Sequence, residues 1–147
     1  MNSELYFSFG SNMDREQMKK RTPNAEYVGV GYVPDHDLVF NRKGSYRPGG
    51  VASIVPTNGV RAYGVVWAIS PEELNEMDRI EDPNAYERVQ KTVITVDGKE
   101  LRCNVYIAFP QGDIPADQPY LELIIKAALA ADLPHEWIDR IKRYRIT

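Results

Sequence analysis

Three kinds of residue in this chain could act together chemically: a small polar turn, a carboxylate in an unfavourable place, and a set of tyrosines. The turn is Gly10-Ser11-Asn12. It closes the apolar run Leu5-Tyr6-Phe7-Ser8-Phe9 and precedes the charged segment Asp14 to Arg21. Alternating Leu5, Phe7 and Phe9 read as the buried face of a strand, and either Asn12 or Asp14 suits the N-cap of a following helix. A strand entering a helix through Gly-Ser-Asn leaves several backbone N–H groups aimed at one spot, which makes an anion pocket without a basic side chain. The carboxylate is Glu81. It falls at the end of a helix, where a negative charge opposes the helix dipole by roughly 0.3–1 kcal/mol. Glu76, Asp78 and Asp82 are its sequence neighbours, so like charge and burial would both raise its proton affinity toward the range useful for acid–base work. Arg79 and Arg88 are the candidate counter-charges. Tyr86, Tyr106 and Tyr120 fall at a strand start, within a strand and at a loop-to-helix junction, where a phenol can serve the core or a ligand.

Much other chemistry lacks its residues. There are two histidines, His36 and His135, far apart and without flanking ligands at metal spacing. The one cysteine, Cys103, has no partner for a disulfide and is expected to be a buried strand residue in a cytoplasmic protein. No GxGxxG, Walker-type or GxSxG pattern occurs, and no credible Cys-His pair. The net charge of -3 and the lack of a basic stripe argue against nucleic acid as a partner. No apolar stretch approaches a membrane span, and the N-terminus has no signal-peptide pattern.

The elements that must position these groups can be read in order. With 147 residues, 43% apolar and 27% charged, the chain is expected to form a single domain over 1–147 with a sizeable core. After the first strand, Asp14 to Arg21 reads as a short helix. Glu26 to Val33 is extended, with Gly29 and Gly31 marking a bend or bulge, and Asp37 to Asn41 is a short strand. Arg42 to Gly50 is a glycine-rich loop, and its Gly49-Gly50 permits close backbone approach to a ligand or simply a turn. Val51 to Pro56 and Arg61 to Ile69 read as strands joined by an Asn58-Gly59 hairpin. Ser70-Pro71-Glu72-Glu73 announces a helix with a capping box, ending before Pro83. Tyr86 to Val96 and Glu100 to Phe109 are expected to be the longest strands, joined by a two-residue Asp97-Gly98 turn. A Pro- and Asp-rich loop from Pro110 to Pro119 leads to two helices, Tyr120 to Ala131 and Pro134 to Tyr144. The sum is an α+β fold: a curved, mostly antiparallel sheet or barrel with helices packed around it.

Taken in order, these pieces resemble the γ-glutamylcyclotransferase family. The match runs from Leu5 to about Tyr144, through the segments Leu5 to Met13, Gly49-Gly50-Val51-Ala52-Ser53-Ile54 and Tyr63-Gly64-Val65-Val66-Trp67. It continues through Leu74 to Glu81, then Tyr86, Cys103-Asn104-Val105-Tyr106 and Pro119-Tyr120. The resemblance implies a small β-barrel flanked by helices, a small-molecule γ-glutamyl substrate and no cofactor. It assigns acid–base catalysis to Glu81 and substrate binding to Phe9, Gly10, Ser11, Asn12, Tyr86, Tyr106 and Tyr120. Three positions depart from the family pattern: Phe9 stands for tyrosine, Met77 for leucine, and Asp82 for a common glycine. The implied reaction closes the γ-glutamyl group on its own α-amine, giving 5-oxoproline and a free amine or amino acid. Whether the Gly10 to Asn12 amides would hold the substrate carboxylate or the oxyanion is left open, as is a homodimer. Two alternatives stand beside this reading: removal of a γ-glutamyl group from a specific metabolite in biosynthesis, and a non-catalytic binding module on the same fold, favoured by Phe9 and Asp82. The loops Arg42 to Gly50 and Pro110 to Pro119 are expected to border the leaving group.

Overall fold

The computed structural model describes residues 3–146. Its centre is a closed five-stranded barrel, β1 (Glu4–Ser8), β2 (Glu26–Lys43), β3 (Gly50–Ile69), β4 (Tyr86–Thr95) and β5 (Glu100–Ala108), in the order β1-β3-β2-β4-β5. Neighbouring strands are antiparallel except at the seam, where β1 and β5 run parallel with Tyr6 opposite Asn104. That seam is short, and the Asn104 side chain reinforces it by donating to Leu5 O at 2.9 Å. Four helices, α1 (Arg15–Arg21), α2 (Pro71–Glu81), α3 (Gln118–Ala130) and α4 (His135–Ile141), complete the fold. The α+β barrel expected from the sequence is the one observed. No helix among the described residues is long and apolar enough to cross a membrane.

The strand boundaries differ from expectation for a common reason. β2 and β3, at 18 and 20 residues, are the longest strands and pair along nearly their whole length. Asn58-Gly59 makes no hairpin. The chain continues through it in the same direction, and the ladder skips from Pro34–Arg61 to His36–Pro56. This wide bulge uses positive φ at both Asp35 and Gly59, and the Asp35 carboxylate accepts from Gly59 N at 2.9 Å. Here the local turn signal yields to the long-range pairing. Gly29 does mark a bulge, between Tyr27 and Gly29. The β4–β5 connection is a three-residue loop, not two. Gly98 N bonds Thr95 O, Thr95 N bonds Lys99 O, and Gly98 sits at φ 88°, a type I turn followed by a glycine bulge.

β1 is buried on both faces. Tyr6 and Ser8 are as enclosed as Phe7 and Phe9, so the simple alternation expected for this strand fails. The hydroxyls of Tyr6 and Ser8 instead enter polar networks described below. At Gly64 on β3, an added Cβ would lie 2.2 Å from Ser8 O and 2.7 Å from the Phe7 ring, so these strands meet at a distance only glycine allows.

α2 carries the expected start and stop. The Ser70 side chain accepts from Glu73 N at 3.1 Å, and Pro71 opens the helix. The reciprocal half of the capping box is not made, because Glu73 Oε2 accepts from Asn24 N instead. Leu74 and Met77 are buried while Ile80 is exposed. The helix ends at Asp82, whose φ of 72° and ψ of 110° suit glycine. An Asx bond from Asn84 N to Asp82 Oδ1, at 3.0 Å, partly offsets the strain. Asp82→Gly is therefore expected to stabilise the fold by about 1 kcal/mol. Urea denaturation checks this, and a loss of stability would show that the side-chain bond outweighs the backbone strain.

Candidate active site

Glu81 closes the last turn of α2 and projects into a cavity of about 270 Å³ at one side of the barrel. Across the cavity lies the turn that follows β1. Residues Ser11–Met13 form one 3-10 turn, whose own bonds use the amides of Met13 and Asp14. The amides of Gly10, Ser11 and Asn12 have no backbone acceptor among the described residues. Asp14, not Asn12, caps α1, its carboxylate accepting from Gln17 N at 3.0 Å. That leaves the Asn12 side chain free, and it turns inward to donate to Glu81 Oε1 at 3.1 Å and Tyr6 Oη at 2.9 Å. Trp67 holds the same turn from β3, donating Nε1 to Asn12 O and to Ser8 Oγ, each at 3.1 Å.

All eight residues proposed from the sequence, Phe9, Gly10, Ser11, Asn12, Glu81, Tyr86, Tyr106 and Tyr120, line this one cavity. Each arrives by a distinct route. Phe9 is buried beside Phe7, presenting an aromatic body without a hydroxyl. Gly10 is needed for space: a Cβ there would stand 2.8 Å from Tyr120 Oη. Tyr120 lies in the first turn of α3, capped by the buried Asp117 carboxylate, which accepts from Tyr120 N at 3.1 Å. Ala52 on β3 anchors two phenols with one residue, accepting from Tyr86 Oη at 3.4 Å and donating its N–H to Tyr120 Oη at 3.3 Å. Tyr106 on β5 donates to Asp78 Oδ1 at 2.6 Å, and Arg88 Nε reaches the same oxygen at 3.2 Å.

These contacts revise the electrostatic expectation. Asp78 is occupied by Tyr106 and Arg88, Arg79 pairs with Glu76, and Asp82 is bonded to Asn84 N. Neither expected counter-charge meets Glu81. What raises the Glu81 carboxyl above its ordinary proton affinity is burial, opposed by the Arg21 charge and by the Asn12 hydrogen bond. Although Glu81 as a residue keeps partial exposure along the cavity wall, its carboxyl faces protein groups, and it is the carboxyl's surroundings that set its titration. The phenols remain protonated. Burial pushes Tyr120 up to about 12, and Tyr6, Tyr86 and Tyr106 higher still. Cys103 is buried in β5 with its thiol pushed up to about 12, which makes it an unreactive core residue.

Sequence reasoning missed several members of the site. Tyr6 sits against Asn12 and Glu81, while Gln17 and Arg21 on α1 complete the Asn12 shell. The spacing of Gln17 and Arg21, one turn apart and just after Gly-Ser-Asn, was the available signal. Of the two loops expected at the leaving-group side, only one reaches the cavity. Gly44 to Arg47 line it, with Tyr46 fully exposed at the mouth, whereas no residue of Pro110 to Pro119 does. The second loop acts at one remove. Its Asp117 accepts from Arg47 Nη1 at 3.1 Å and Gly49 N at 3.3 Å, securing the first loop. Gly49 is thus required by the chain itself, since a Cβ would stand 2.5 Å from Asp117 Cα. Among the described residues no group of three His, Cys, Asp or Glu side chains could hold a metal ion.

A desolvated carboxylate, protonated phenols and amides free of backbone acceptors around one small cavity make a candidate acid–base site on a closed barrel. The family described as "Gamma-glutamyl cyclotransferase, AIG2-like" matches residues 6–124, and the chain belongs to it. It is 32% identical over 146 residues to a human protein named gamma-glutamylcyclotransferase, spanning 95% of this chain and 78% of that one. The mouse protein of the same name is 30% identical over 144 residues, spanning 94% and 77%. A solved structure titled "Gamma-glutamyl cyclotransferase" superposes with a TM-score of 0.94 at 28% identity, covering 99% of this chain and 90% of that chain.

Proposed function

We infer that this protein is a γ-glutamylcyclotransferase, converting a small γ-glutamyl amine or γ-glutamyl amino acid to 5-oxoproline and the free amine. The observation that carries the reading is the placement of the Glu81 carboxyl, raised in proton affinity, in the same cavity as the Gly10 to Asn12 amides. Family membership supports the same chemistry.

A γ-glutamyl compound carries its own nucleophile, the α-amine, at the distance that closes a five-membered ring. Holding it bent gains proximity, for which effective molarities reach about 10⁵ M or more. At neutral pH the amine is an ammonium and has no free electron pair. Glu81, in its carboxylate form, removes one proton. The nitrogen pair then attacks the γ-carbonyl carbon, the new C–N bond forms, and the carbonyl oxygen takes the negative charge. As that oxyanion collapses, the bond to the leaving nitrogen breaks and Glu81 gives its proton to the departing amine. The ring nitrogen, still carrying two hydrogens, then loses one to the freed Glu81 carboxylate, which passes it on to the amine or to water and leaves the neutral lactam. A raised proton affinity suits both halves, because a carboxylate of ordinary acidity would be a weaker base. The Gly10 to Asn12 amides would receive the oxyanion or the substrate carboxylate. The protonated phenols of Tyr6, Tyr86 and Tyr120 provide neutral hydroxyls around the bent substrate without adding charge beside Glu81.

Incubation with a panel of γ-glutamyl amines and γ-glutamyl amino acids, assayed for 5-oxoproline, tests the reading. Product from at least one member is expected. No 5-oxoproline from any member, with the protein folded, would overturn it.

A further inference from the structure

Among the described residues the cation whose charge bears on Glu81 also holds the amide that lies between the two. Arg21 ends α1, and its Nη1 donates to Asn12 Oδ1 at 2.8 Å. Gln17, one turn earlier on the same face, donates Nε2 to the same oxygen at 2.8 Å and to Ser11 Oγ at 2.9 Å. A guanidinium has donors only, so the Asn12 atom it meets must be the carbonyl oxygen. The amide orientation is thereby fixed. Its NH₂ faces the other way, with one contact to Tyr6 Oη and one to Glu81 Oε1. Helix formation does not explain an arginine here, since Lys19 and Lys20 already complement the C-terminal end of α1.

We propose that Arg21 is a positioning residue for Glu81 that works through Asn12, locking the carboxamide with an N–H on the carboxylate and setting how tightly Glu81 holds a proton. The inference deepens the cyclotransferase reading and rests on it for its catalytic meaning. The other groups around Glu81 leave this role to Arg21. Tyr6 from β1, Tyr86 from β4 and Tyr120 from α3 are neutral phenols, and Met77 on α2 offers a thioether. Arg42 acts on Tyr86, Arg47 on Tyr120 and Asp117, and Asp78 is paired with Arg88. Without the Arg21 charge the carboxylate loses its electrostatic support, and Asn12 is freer to turn its oxygen toward Glu81. Both changes hold the proton on Glu81 to higher pH.

The test is a ¹³C NMR titration of the side-chain carboxyls in wild type, Arg21→Lys and Arg21→Gln, with Glu81→Gln identifying the resonance. Arg21→Gln, which keeps a donor and loses the charge, is expected to raise the Glu81 midpoint by about one pH unit. Arg21→Lys is expected to stay near wild type. In wild type, the Asn12 side-chain amide should titrate with the same midpoint as Glu81, a readout that needs no substitution to fold. In turnover, Arg21→Gln should lower kcat/KM about tenfold below the acidic limb and recover it above the limb, a pH-dependent loss that damage to the fold would not give. A Glu81 midpoint unchanged in Arg21→Gln, or an Asn12 amide blind to the Glu81 titration, would overturn the inference. Because the titration needs no turnover, failure to form 5-oxoproline would sink the cyclotransferase reading and leave the Arg21 link to be judged separately.

Discussion

Replacing Glu81 with glutamine is expected to lower 5-oxoproline formation by about 10³-fold while leaving substrate affinity close to wild type. Glutamine keeps the shape and can still accept from Asn12 Nδ2, so the cavity should persist, but it neither takes nor returns a proton. The loss should therefore appear in kcat, with KM little changed. In the wild type, kcat/KM should rise with pH along an acidic limb lying above the ordinary carboxylate range, because burial holds the Glu81 proton. The same substitution should be stabilising, and the sign follows from linkage. Below the ordinary carboxylate pKa, Glu81 is protonated in both folded and unfolded chains and contributes no pH dependence. Above it, the unfolded chain releases its proton first while the folded chain keeps it, so stability falls as pH rises through the folded value. The neutral glutamine side chain carries no such penalty. Glu81→Gln is thus expected to raise Tm at neutral pH, with the gain vanishing in acid. Calorimetry across pH checks this; a lower Tm at neutral pH would mean that the carboxylate is a net stabilising charge in its cavity.

The second large effect is structural. Gly64→Ala places a Cβ 2.2 Å from Ser8 O and within 3 Å of the Phe7 ring, both parts of a strand that is buried on each face. Neither can swing aside as the end of an exposed side chain would, so β1 and β3 must separate. A cost of about 3 kcal/mol is expected, read from urea or thermal unfolding. Gly98→Ala is the control: it sits at φ 88° with nothing within 4 Å, and should lose only the backbone preference, about 1 kcal/mol. Equal effects at the two positions would contradict the packing argument. Since β1 leads straight into the Gly10 to Asn12 turn, Gly64→Ala should also depress activity in whatever fraction stays folded.

What was legible in the sequence was what local chemistry decides. Ser70, Pro71 and the barrier at Pro83 bound α2 because capping and proline sterics act within a few residues. Asn58-Gly59 was as strong a local signal and misled, because pairing of β2 with β3 overrode it and turned the dipeptide into a bulge held by Asp35. The site divides the same way. Gly10 to Asn12 and Glu81 stood out by an ordered set of motifs and a charge at the wrong end of a helix. The acidic neighbours Asp78 and Asp82 suggested like-charge repulsion that the fold removes by giving each its own partner. Tyr6 and the double anchor at Ala52 carry no signal alone, and Gln17 and Arg21 carry only their one-turn spacing. Their roles exist only once β1, α1, β3 and α2 converge on Asn12, and that convergence is a product of barrel closure rather than of any short segment.

A structure of Glu81→Gln soaked with a γ-glutamyl amino acid bears most directly on the account. The substrate is predicted to lie bent in the cavity, its α-nitrogen within hydrogen-bond reach of the substituted side chain at position 81, with an oxygen of the γ-glutamyl unit on the Gly10 to Asn12 amides. A substrate bound in an extended form with its α-nitrogen away from position 81, or bound outside this cavity, would contradict it.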